Sequence, residues 1–356
     1  MGAMRKLLIA AAVAALAVFA ANTYTRMKVM MLVSREVTVK HRNCQYLQNI
    51  ECGAEDITIL KDGLAFFSSG LKFPEVPSFC DGPGKMYVVD MLHPKPTPVE
   101  LQIKGELDLS SFNPHGISVY TDEADDSIYV FVVNHPHSNS QIEIFRFAEE
   151  DTLVHLKTIS HPLLPSVNDI VAVGKESFYA SNDQYFPSRT LHLLTLLLGV
   201  PMCEVVYYSP GDVRVVAGGI LSGNGINLSL DKRYIYVSDI ADHDIDVFER
   251  KKGEQLVYIK SVAVGSLCDN IEVDHRTGDL WMGCHPNPMK LFSSDPKDPP
   301  GSEIIRIQNI HSQHPVVTVE YVDDGHVLMG STVAAPYEGR LLVGTIFHKA
   351  LYCDLR

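Results

Sequence analysis

The stretch Asn168-Asp-Ile-Val-Ala-Val-Gly-Lys-Glu-Ser-Phe-Tyr-Ala-Ser-Asn182 contains the structural unit from which the fold is predicted. It opens with a polar pair, continues as a short β-branched run, turns at Gly174 and returns as a second apolar run. Short runs of β-branched and aromatic residues bounded by turn residues are typical of β-strands rather than helices. The stretch therefore predicts a β-hairpin whose first strand begins with two polar side chains.

The same unit recurs along the chain, and its starts lie 45 to 62 residues apart. A weak, strand-rich repeat of that length is typical of propeller blades. Because there are six units, we predict an all-β protein, a six-bladed β-propeller. The six starts are Glu55-Asp56-Ile57, His115-Gly116-Ile117, Asn168-Asp169-Ile170, Asn224-Gly225-Ile226, Asp269-Asn270-Ile271 and Ser331-Thr332-Val333.

These polar starts predict a metal site on the propeller axis. The innermost strand of each blade lines the central channel, so equivalent positions of the six units converge near one end of it. Carboxylates and amides gathered there without water would repel one another or stay unsatisfied. Calcium resolves this because it takes about six to eight oxygen ligands. Zinc is disfavoured because none of these positions is a cysteine. The predicted ring is Glu55, Asp56, His115, Asn168, Asp169, Asn224, Asp269 and Asn270.

Charge and the N-terminal segment indicate an acidic protein of the secretory route. The net charge of −13 argues against binding to nucleic acid, whose phosphates need a basic surface. Arg5 and Lys6 precede an apolar run over residues 7–21, which is the pattern of a secretory signal and is short for a membrane span. We expect residues 1–21 to be a signal-like segment, either cleaved or retained as an anchor, and residues 22–356 to form one propeller domain.

Secretion makes disulfides expected, although the seven cysteines leave at least one thiol unpaired. Cys44 and Cys353 stand near the two ends of the folded region. If they were bonded, they would close nearly the whole chain into a ring, which is worth about 5 kcal/mol in the loop-entropy model. The residues alone equally allow the two cysteines to be unrelated.

Other motifs are either absent, which disfavours particular functions, or too weak to indicate a site. The sequence contains neither GxSxG nor HExxH, which disfavours a serine hydrolase with a nucleophile elbow and a zincin-like protease. His311 and His314 have a metal-compatible spacing but lie in a polar connection. The aspartates of 242–246 lack the EF-hand glycine and are interpreted as the solvent face of a strand. The sequon at Asn227 falls in an inner strand, so its glycosylation is doubtful.

Long motifs occur in order along the chain at 63–72, 111–118, 132–136, 164–173, 224–226, 283–287 and 344–353. In these stretches the sequence resembles the paraoxonase family of calcium-dependent lactonases and arylesterases, and the similarity covers essentially its whole length. The resemblance implies hydrolysis of lactones and aryl esters, with organophosphate triesters as a side activity. It also places the apolar segment Leu191 to Val200 as a short helix over the active-site mouth, facing lipid.

The resemblance also implies the roles of individual residues. The histidine dyad would be His115 and His135, the ring-closing disulfide Cys44–Cys353, and Cys284 an unpaired thiol. Cys52, Cys80, Cys203 and Cys268 are not part of the family's pattern, so their state stays open. The catalytic calcium would be held by Glu55, Asn168, Asn224, Asp269 and Asn270, and the structural calcium by Asp56, Asp169 and the backbone carbonyl of Ile117.

The leading interpretation is an enzyme in which calcium stabilises the oxyanion and His115, tuned by His135, activates water. Attack by a carboxylate such as Asp269 is the open alternative to attack by water. A different class of function is a non-catalytic, calcium-stabilised propeller that docks on a lipid or cell surface. The expected partners are a small lipophilic ester or lactone and a membrane or lipoprotein surface, with a homo-oligomer as one option.

Overall fold

The structure is a computed structural model that describes residues 2–32, 35, 37–72, 80–138, 140–149, 151–186, 188–293 and 297–355. Met1 of the expected N-terminal segment lies outside these described residues. The strands in chain order are β1 (Cys44–Tyr46), β2 (Ile57–Ile59), β3 (Leu64–Ser69), β4 (Lys85–Asp90), β5 (Val99–Glu100), β6 (Gln102–Lys104), β7 (Pro114–Thr121), β8 (Ile128–Asn134), β9 (Gln141–Ala148), β10 (Thr152–Ile159), β11 (Val167–Gly174), β12 (Ser177–Asn182), β13 (Cys203–Ser209), β14 (Asp212–Ile220), β15 (Gly223–Leu228), β16 (Tyr234–Asp239), β17 (Asp244–Arg250), β18 (Leu256–Ala263), β19 (Leu267–Val273), β20 (Leu280–His285), β21 (Ser302–Gln308), β22 (Val316–Asp323), β23 (Ser331–Tyr337), β24 (Arg340–Thr345) and β25 (Leu351–Asp354).

These strands form six separate sheets, which are the blades of the predicted six-bladed propeller. Strands β2–β5 form blade 1, β6–β10 blade 2, β11–β14 blade 3, β15–β18 blade 4, β19–β22 blade 5, and β23–β25 with β1 form blade 6. The innermost strands β2, β7, β11, β15, β19 and β23 contact one another in a closed circle. Each innermost strand begins at, or within three residues of, one of the six polar starts, so the repeat in the sequence is the blade repeat.

Blade 6 closes the circle with both ends of the chain. Strand β1 pairs antiparallel with β25, and Cys44 faces Cys353 in the register of that pair. The two cysteines form the disulfide that the family resemblance implies. The N-terminal strand is thereby the outermost strand of the last blade, and the disulfide holds the two ends of the chain together there.

The hydrophobic core lies between neighbouring blades rather than at the axis. Between blades 4 and 5, for example, Ile245 and Val247 pack against Leu280 and Met282, and all four are fully buried. Burying one such side chain stabilises the fold by about 1.5–3 kcal/mol. Because the apolar residues are used between blades, the axis is left to the polar residues that begin the inner strands.

Within the described residues, three α-helices accompany the blades: α1 (Gly2–Met30), α2 (Arg189–Leu198) and α3 (Pro288–Ser293). Short 3-10 helices lie at Leu109–Ser111 and Pro136–Ser138. Helix α1 continues nine residues past the apolar run that ends at Ala21, because no glycine or proline interrupts residues 22–30. It is long and apolar enough to cross a membrane, although a signal sequence near an N-terminus passes the same test.

The end of α1 is fixed to the propeller beside α2. The guanidinium of Arg26 donates from Nε to the carbonyl oxygen of Leu196 at 3.2 Å. Met30 packs on Leu221 and Ala241 at the top of blade 4. Helix α2 follows β12 and ends at Gly199, whose left-handed φ of 67° stops the helix. The predicted apolar helix therefore exists, and it contacts the N-terminal helix.

The structure corrects two expectations. Cys284 is not an unpaired thiol, because it faces Cys268 across β19 and β20 and forms a disulfide with it. Cys52 bonds Cys80, and Cys203 is the free, buried cysteine among the described residues. The interpretation of the aspartates of 242–246 as the solvent face of a strand is also wrong for the last of them, Asp246.

Asp246 is only 8% exposed, because β17 turns it toward β18, where the Ser261 hydroxyl donates to its carboxylate.

The side chain of Asn227, in the sequon, donates to the carbonyl oxygen of Ile271 at 2.7 Å and to Glu272 Oε1 at 3.2 Å inside the channel. Because the Asn227 amide is half-buried and donates both of these hydrogen bonds, the position fits the doubt about glycosylation of the sequon.

Candidate metal and catalytic site

Residues from different blades meet at the end of the channel where the inner strands begin. The side-chain amide of Asn270, on blade 5, donates to the carbonyl oxygen and to Oε1 of Glu55, just before blade 1, at 3.0 Å each. His115 Nε2, on blade 2, lies 3.5 Å from the same Oε1 atom. The ring predicted from the repeat thus brings these three side chains together.

An irregularity in the ladder aims these side chains at the axis. The register between the first and second strands shifts between Val167 and Asp169, between Gly223 and Ile226, and between Cys268 and Ile271. Extra residues in a strand re-aim side chains and are common beside active sites. Asn168, Asn224, Asp269 and Asn270 lie in these three shifts.

Four oxygen atoms of this ring are buried acceptors without a hydrogen-bond partner among the described residues. They are Glu55 Oε2, Asn168 Oδ1, Asn224 Oδ1 and Asn270 Oδ1. Each such atom costs about 1–3 kcal/mol when it is left unsatisfied. All four belong to the five residues that the resemblance assigns to the catalytic calcium, and carboxylate and amide oxygens are the ligands that calcium prefers.

The donor set fits a hard cation that is bound mainly by neutral oxygens. Within the described ranges, no three His, Cys, Asp or Glu side chains converge on a common metal position. Glu55 and Asp269 are the only two carboxylates of the proposed set, and three asparagines supply the remaining side-chain oxygens. A softer metal, which selects nitrogen or sulfur, fits this set poorly.

Two glycines let neighbouring strands approach closely enough to form the ring. A Cβ atom built on Gly225 would lie 2.5 Å from the carbonyl oxygen of Asp269 and 2.6 Å from the Cα atom of Asn270. A Cβ atom on Gly116 would lie 2.6 Å from the Cα atom of Asp169. Because these neighbours are backbone atoms that cannot turn aside, any larger residue would push the blades apart.

Asp56 and Asp169 form a second, deeper carboxylate pair that links adjacent blades. Asp56 accepts from the backbone N–H of Ile57 at 2.9 Å and of Ile117 in the next blade at 2.7 Å. Asp169 accepts in the same way from Ile170 at 2.7 Å and from Ile226 at 2.8 Å. The same geometry in blades 1 and 3 points both carboxylates toward the axis.

The electrostatics of this pair call for a positive charge. Burial, and then the neighbouring Glu55, raise the pKa of Asp56 to about 8. Burial and then the charge of Asp56 raise the pKa of Asp169 well above its usual range. Both carboxylates line a cavity of about 590 Å³ that continues along the channel, away from the ring of asparagines. A cation between them would offset both effects.

His115 and His135 lie within hydrogen-bond distance of each other. His115 Nδ1 lies 3.0 Å from His135 Nε2, and His135 Nδ1 lies 3.3 Å from the hydroxyl of Ser140. Burial, and then the neighbouring His115, lower the pKa of His135 to about 3. Burial acts to lower the pKa of His115, but Glu55 and then Asp269 and Asp183 outweigh it, so that its pKa is raised. His115 is therefore the more basic member.

Two further site residues were not identified from the sequence. His285 Nε2 lies 2.9 Å from Asp269 Oδ2, and its Nδ1 atom has no hydrogen-bond partner within the described residues. Asp183 is half-buried, and burial raises its pKa although the Ser166 hydroxyl and the charge of His115 oppose this. Both residues occur where the second strand of a blade ends, as does His135. That position returns to the start of the inner strand, which is the signal that could have identified them.

The arrangement combines three chemical resources within one buried site. It has a cluster of oxygen ligands for a cation, a histidine pair of unequal basicity, and a carboxylate–histidine pair formed by Asp269 and His285. Such a combination can polarise a carbonyl group, take a proton from a nucleophile and protonate a leaving group.

Comparison with known proteins gives a consistent result. Residues 36–355 match the family described as Arylesterase. The chain is 51% identical to serum paraoxonase/arylesterase 2 of Gallus gallus, over 99% of this chain and 100% of that one. It is 53% identical to serum paraoxonase/arylesterase 1 of Mus musculus, over 90% and 91% of the two chains. It is also 49% identical to serum paraoxonase/lactonase 3 of Homo sapiens, over 90% and 92%.

Among solved structures, the chain is similar to a luciferin-regenerating enzyme, with a TM-score of 0.53 and 11% identity, over 88% of this chain and 95% of that one. At this level of identity the likeness concerns the fold alone.

Proposed function

Because this chain belongs to the arylesterase family, we propose that it is a calcium-dependent hydrolase of lactones and aryl esters. The observation that carries the proposal is the set of four buried, unpartnered oxygen atoms from Glu55, Asn168, Asn224 and Asn270, which lies beside a histidine dyad. Relatives named for arylesterase and lactonase activity support the substrate class.

The proposed ligands of the catalytic calcium are Glu55, Asn168, Asn224, Asp269 and Asn270. Asp56, Asp169 and the carbonyl oxygen of Ile117 would hold a second, structural calcium. When bound, the first ion supplies positive charge for the carbonyl oxygen of the substrate as negative charge develops on it. The same charge suits a phosphoryl oxygen, so a side activity on aryl phosphotriesters is part of the proposal.

His115 is the proposed general base. His135 is neutral at neutral pH because of its low pKa, and its Nε2 atom can accept the proton that His115 carries on Nδ1. Once His115 has lost one proton, this hydrogen bond keeps the remaining proton on Nδ1 and leaves Nε2 unprotonated on the side of Glu55, within the site. His115 Nε2 can then remove a proton from an attacking water molecule.

Asp269 and His285 provide the alternative route. Asp269 is held by His285 at 2.9 Å and is only 6% exposed, so its carboxylate is oriented rather than mobile. It could attack the ester carbonyl directly, and the resulting acyl-enzyme would then be hydrolysed. Label found on Asp269 after a single turnover in ¹⁸O-labelled water establishes the carboxylate route, because attack by water on the substrate labels only the product acid.

We further propose that the protein is exported and held at a lipid surface. Three disulfides are typical of an oxidising compartment. Helix α1 is exposed along its apolar length, and its end contacts α2. Helices α2 and α3 each follow a second strand that ends beside the site. Their exposed apolar side chains are Leu191, Leu193, Leu194, Leu198, Met289 and Phe292. Such side chains enter the headgroup region of a membrane or lipoprotein, where a lipophilic substrate is also concentrated.

The test is hydrolysis of phenyl acetate and of an aromatic lactone by the purified full chain, with and without a calcium chelator. The proposal expects turnover of both substrates, loss of turnover in the chelator and recovery when calcium is restored. A non-catalytic scaffold would show a calcium-dependent melting temperature and no turnover at any calcium concentration. The unequal histidine pair beside the cation site favours the enzyme, since a scaffold does not need it.

A further inference from the structure

The Cys268–Cys284 disulfide joins the two strands that carry the reacting groups of blade 5. We propose that it is a positioning element of the active site, which fixes Asp269 and Asn270 relative to His285. The inference rests on the proposed function, because it assigns these residues to the calcium and catalytic site.

The register of blade 5 shows why a covalent link matters at this point. Cys268 pairs with Cys284, and the next paired residues are Ile271 and Met282. From one pair to the next, β19 advances by three residues and β20 by two, so Asp269 and Asn270 lie in a bulge outside the regular pairing. Regular strand pairing does not fix these two residues, and the disulfide links the strands at one end of the bulge.

Both members of the carboxylate–histidine pair are direct neighbours of the cross-link. Asp269 follows Cys268 and His285 follows Cys284, and the two side chains meet at 2.9 Å between Oδ2 and Nε2. Any sliding of β19 along β20 at this end changes that distance directly. Misplacement of a reacting group by about 1 Å can reduce a rate by roughly 100-fold.

The cross-linked pair is also tied to both neighbouring blades. The hydroxyl of Ser238, on blade 4, donates to the carbonyl oxygen of Cys268 at 2.6 Å. The hydroxyl of Ser331, on blade 6, donates to the carbonyl oxygen of Cys284 at 3.0 Å. These hydrogen bonds fix β19 relative to blade 4 and β20 relative to blade 6, and the disulfide fixes the two strands relative to each other.

A purely structural role makes a different prediction. Both sulfurs lie in a buried apolar cluster with Ile271 and Met282, where they also fill space. If packing were their whole contribution, apolar residues of similar size would replace them with little effect on binding or turnover.

The test variant is Cys268→Val with Cys284→Ala in the full chain, and the control is Cys44→Ala with Cys353→Ala. The control removes another disulfide between register partners, but at the outer edge of blade 6. Circular dichroism confirms folding, and all assays run well below each melting temperature. The readouts are kcat, KM and the affinity for terbium, a luminescent substitute for calcium.

We expect the test variant to lose roughly 10- to 100-fold in kcat with KM within about 3-fold, and to bind terbium roughly 10-fold more weakly. The control should lower the melting temperature and leave kcat and terbium affinity within about 2-fold. If the test variant does not fold, Cys284→Ala alone, which keeps one buried sulfur, replaces it.

Unchanged kcat and terbium affinity in the test variant, or equal losses in test and control, would overturn the positioning role. A parent protein without calcium-dependent hydrolysis would instead contradict the proposed function. In that case the terbium affinities of parent and variant still decide whether the cross-link positions the site.

Discussion

The close approach of Gly225 to blade 5 gives a prediction whose size can be worked out from the structure. A Cβ atom at Gly225 would lie 2.5 Å from the carbonyl oxygen of Asp269, whereas an ordinary contact begins at 3.4 Å. Relief of the clash in Gly225→Ala therefore needs a shift of about 0.9 Å between β15 and β19. That shift separates Asn224 from Asp269 and Asn270, which are the proposed ligands on the two strands.

A displacement of this size should lower kcat/KM by roughly 100-fold and weaken calcium binding, while overpacking costs about 1–3 kcal/mol of stability. The matched control is Gly174→Ala, at the far end of the inner strand β11. There the nearest atom to a new Cβ would be Ser177 Cβ at an ordinary 3.5 Å. Ester hydrolysis and calcium titration of both variants provide the measurement. Gly225→Ala with turnover and calcium affinity within about 2-fold of the parent would refute the assignment of the ring.

Three further predictions test separate parts of the site. His115→Gln should keep calcium affinity and reduce lactone turnover by about 10²–10⁴-fold, because the general base is lost. In the parent protein the rate of hydrolysis should rise with pH as His115 loses its proton, and this ascending limb of the pH–rate profile should be absent from the variant. Asp169→Ala should mainly lower the melting temperature, since a structural ion that binds only the folded state is lost, whereas Asn224→Ala should mainly lower turnover; equal effects of the two changes would contradict a two-site division. Deletion of residues 2–21 should weaken flotation with lipid vesicles and leave hydrolysis of a soluble ester unchanged, and undiminished flotation would remove the anchor role of α1.

The blade repeat could be predicted from the sequence because its signal is local. Each unit carries a polar start, a β-branched run and a turn within about 15 residues, as in residues 168–182, and six such units define the propeller. Convergence of the starts then follows from the symmetry of the fold. For this reason the ring of carboxylates and asparagines could be identified without the structure.

Features that depend on strand register could not be predicted in this way. Cys268 faces Cys284 only because β19 and β20 pair with a particular offset, and nothing in the spacing of the two residues indicates it. His285 and Asp183 reach the site because the second strands of their blades return to the same end of the channel. Asp246 alternates as an exposed strand residue would, but its sheet face is covered.

The most direct test of the central claim, that the buried oxygens of the ring bind a calcium ion needed for hydrolysis, is the rate of phenyl acetate hydrolysis at buffered free calcium concentrations. The rate should fall to the uncatalysed background when the protein is stripped of calcium, and it should recover along a binding curve. Asn224→Ala should shift that curve to higher calcium, because it removes one of the unpartnered oxygens. Full activity in protein that elemental analysis finds free of calcium would contradict the claim.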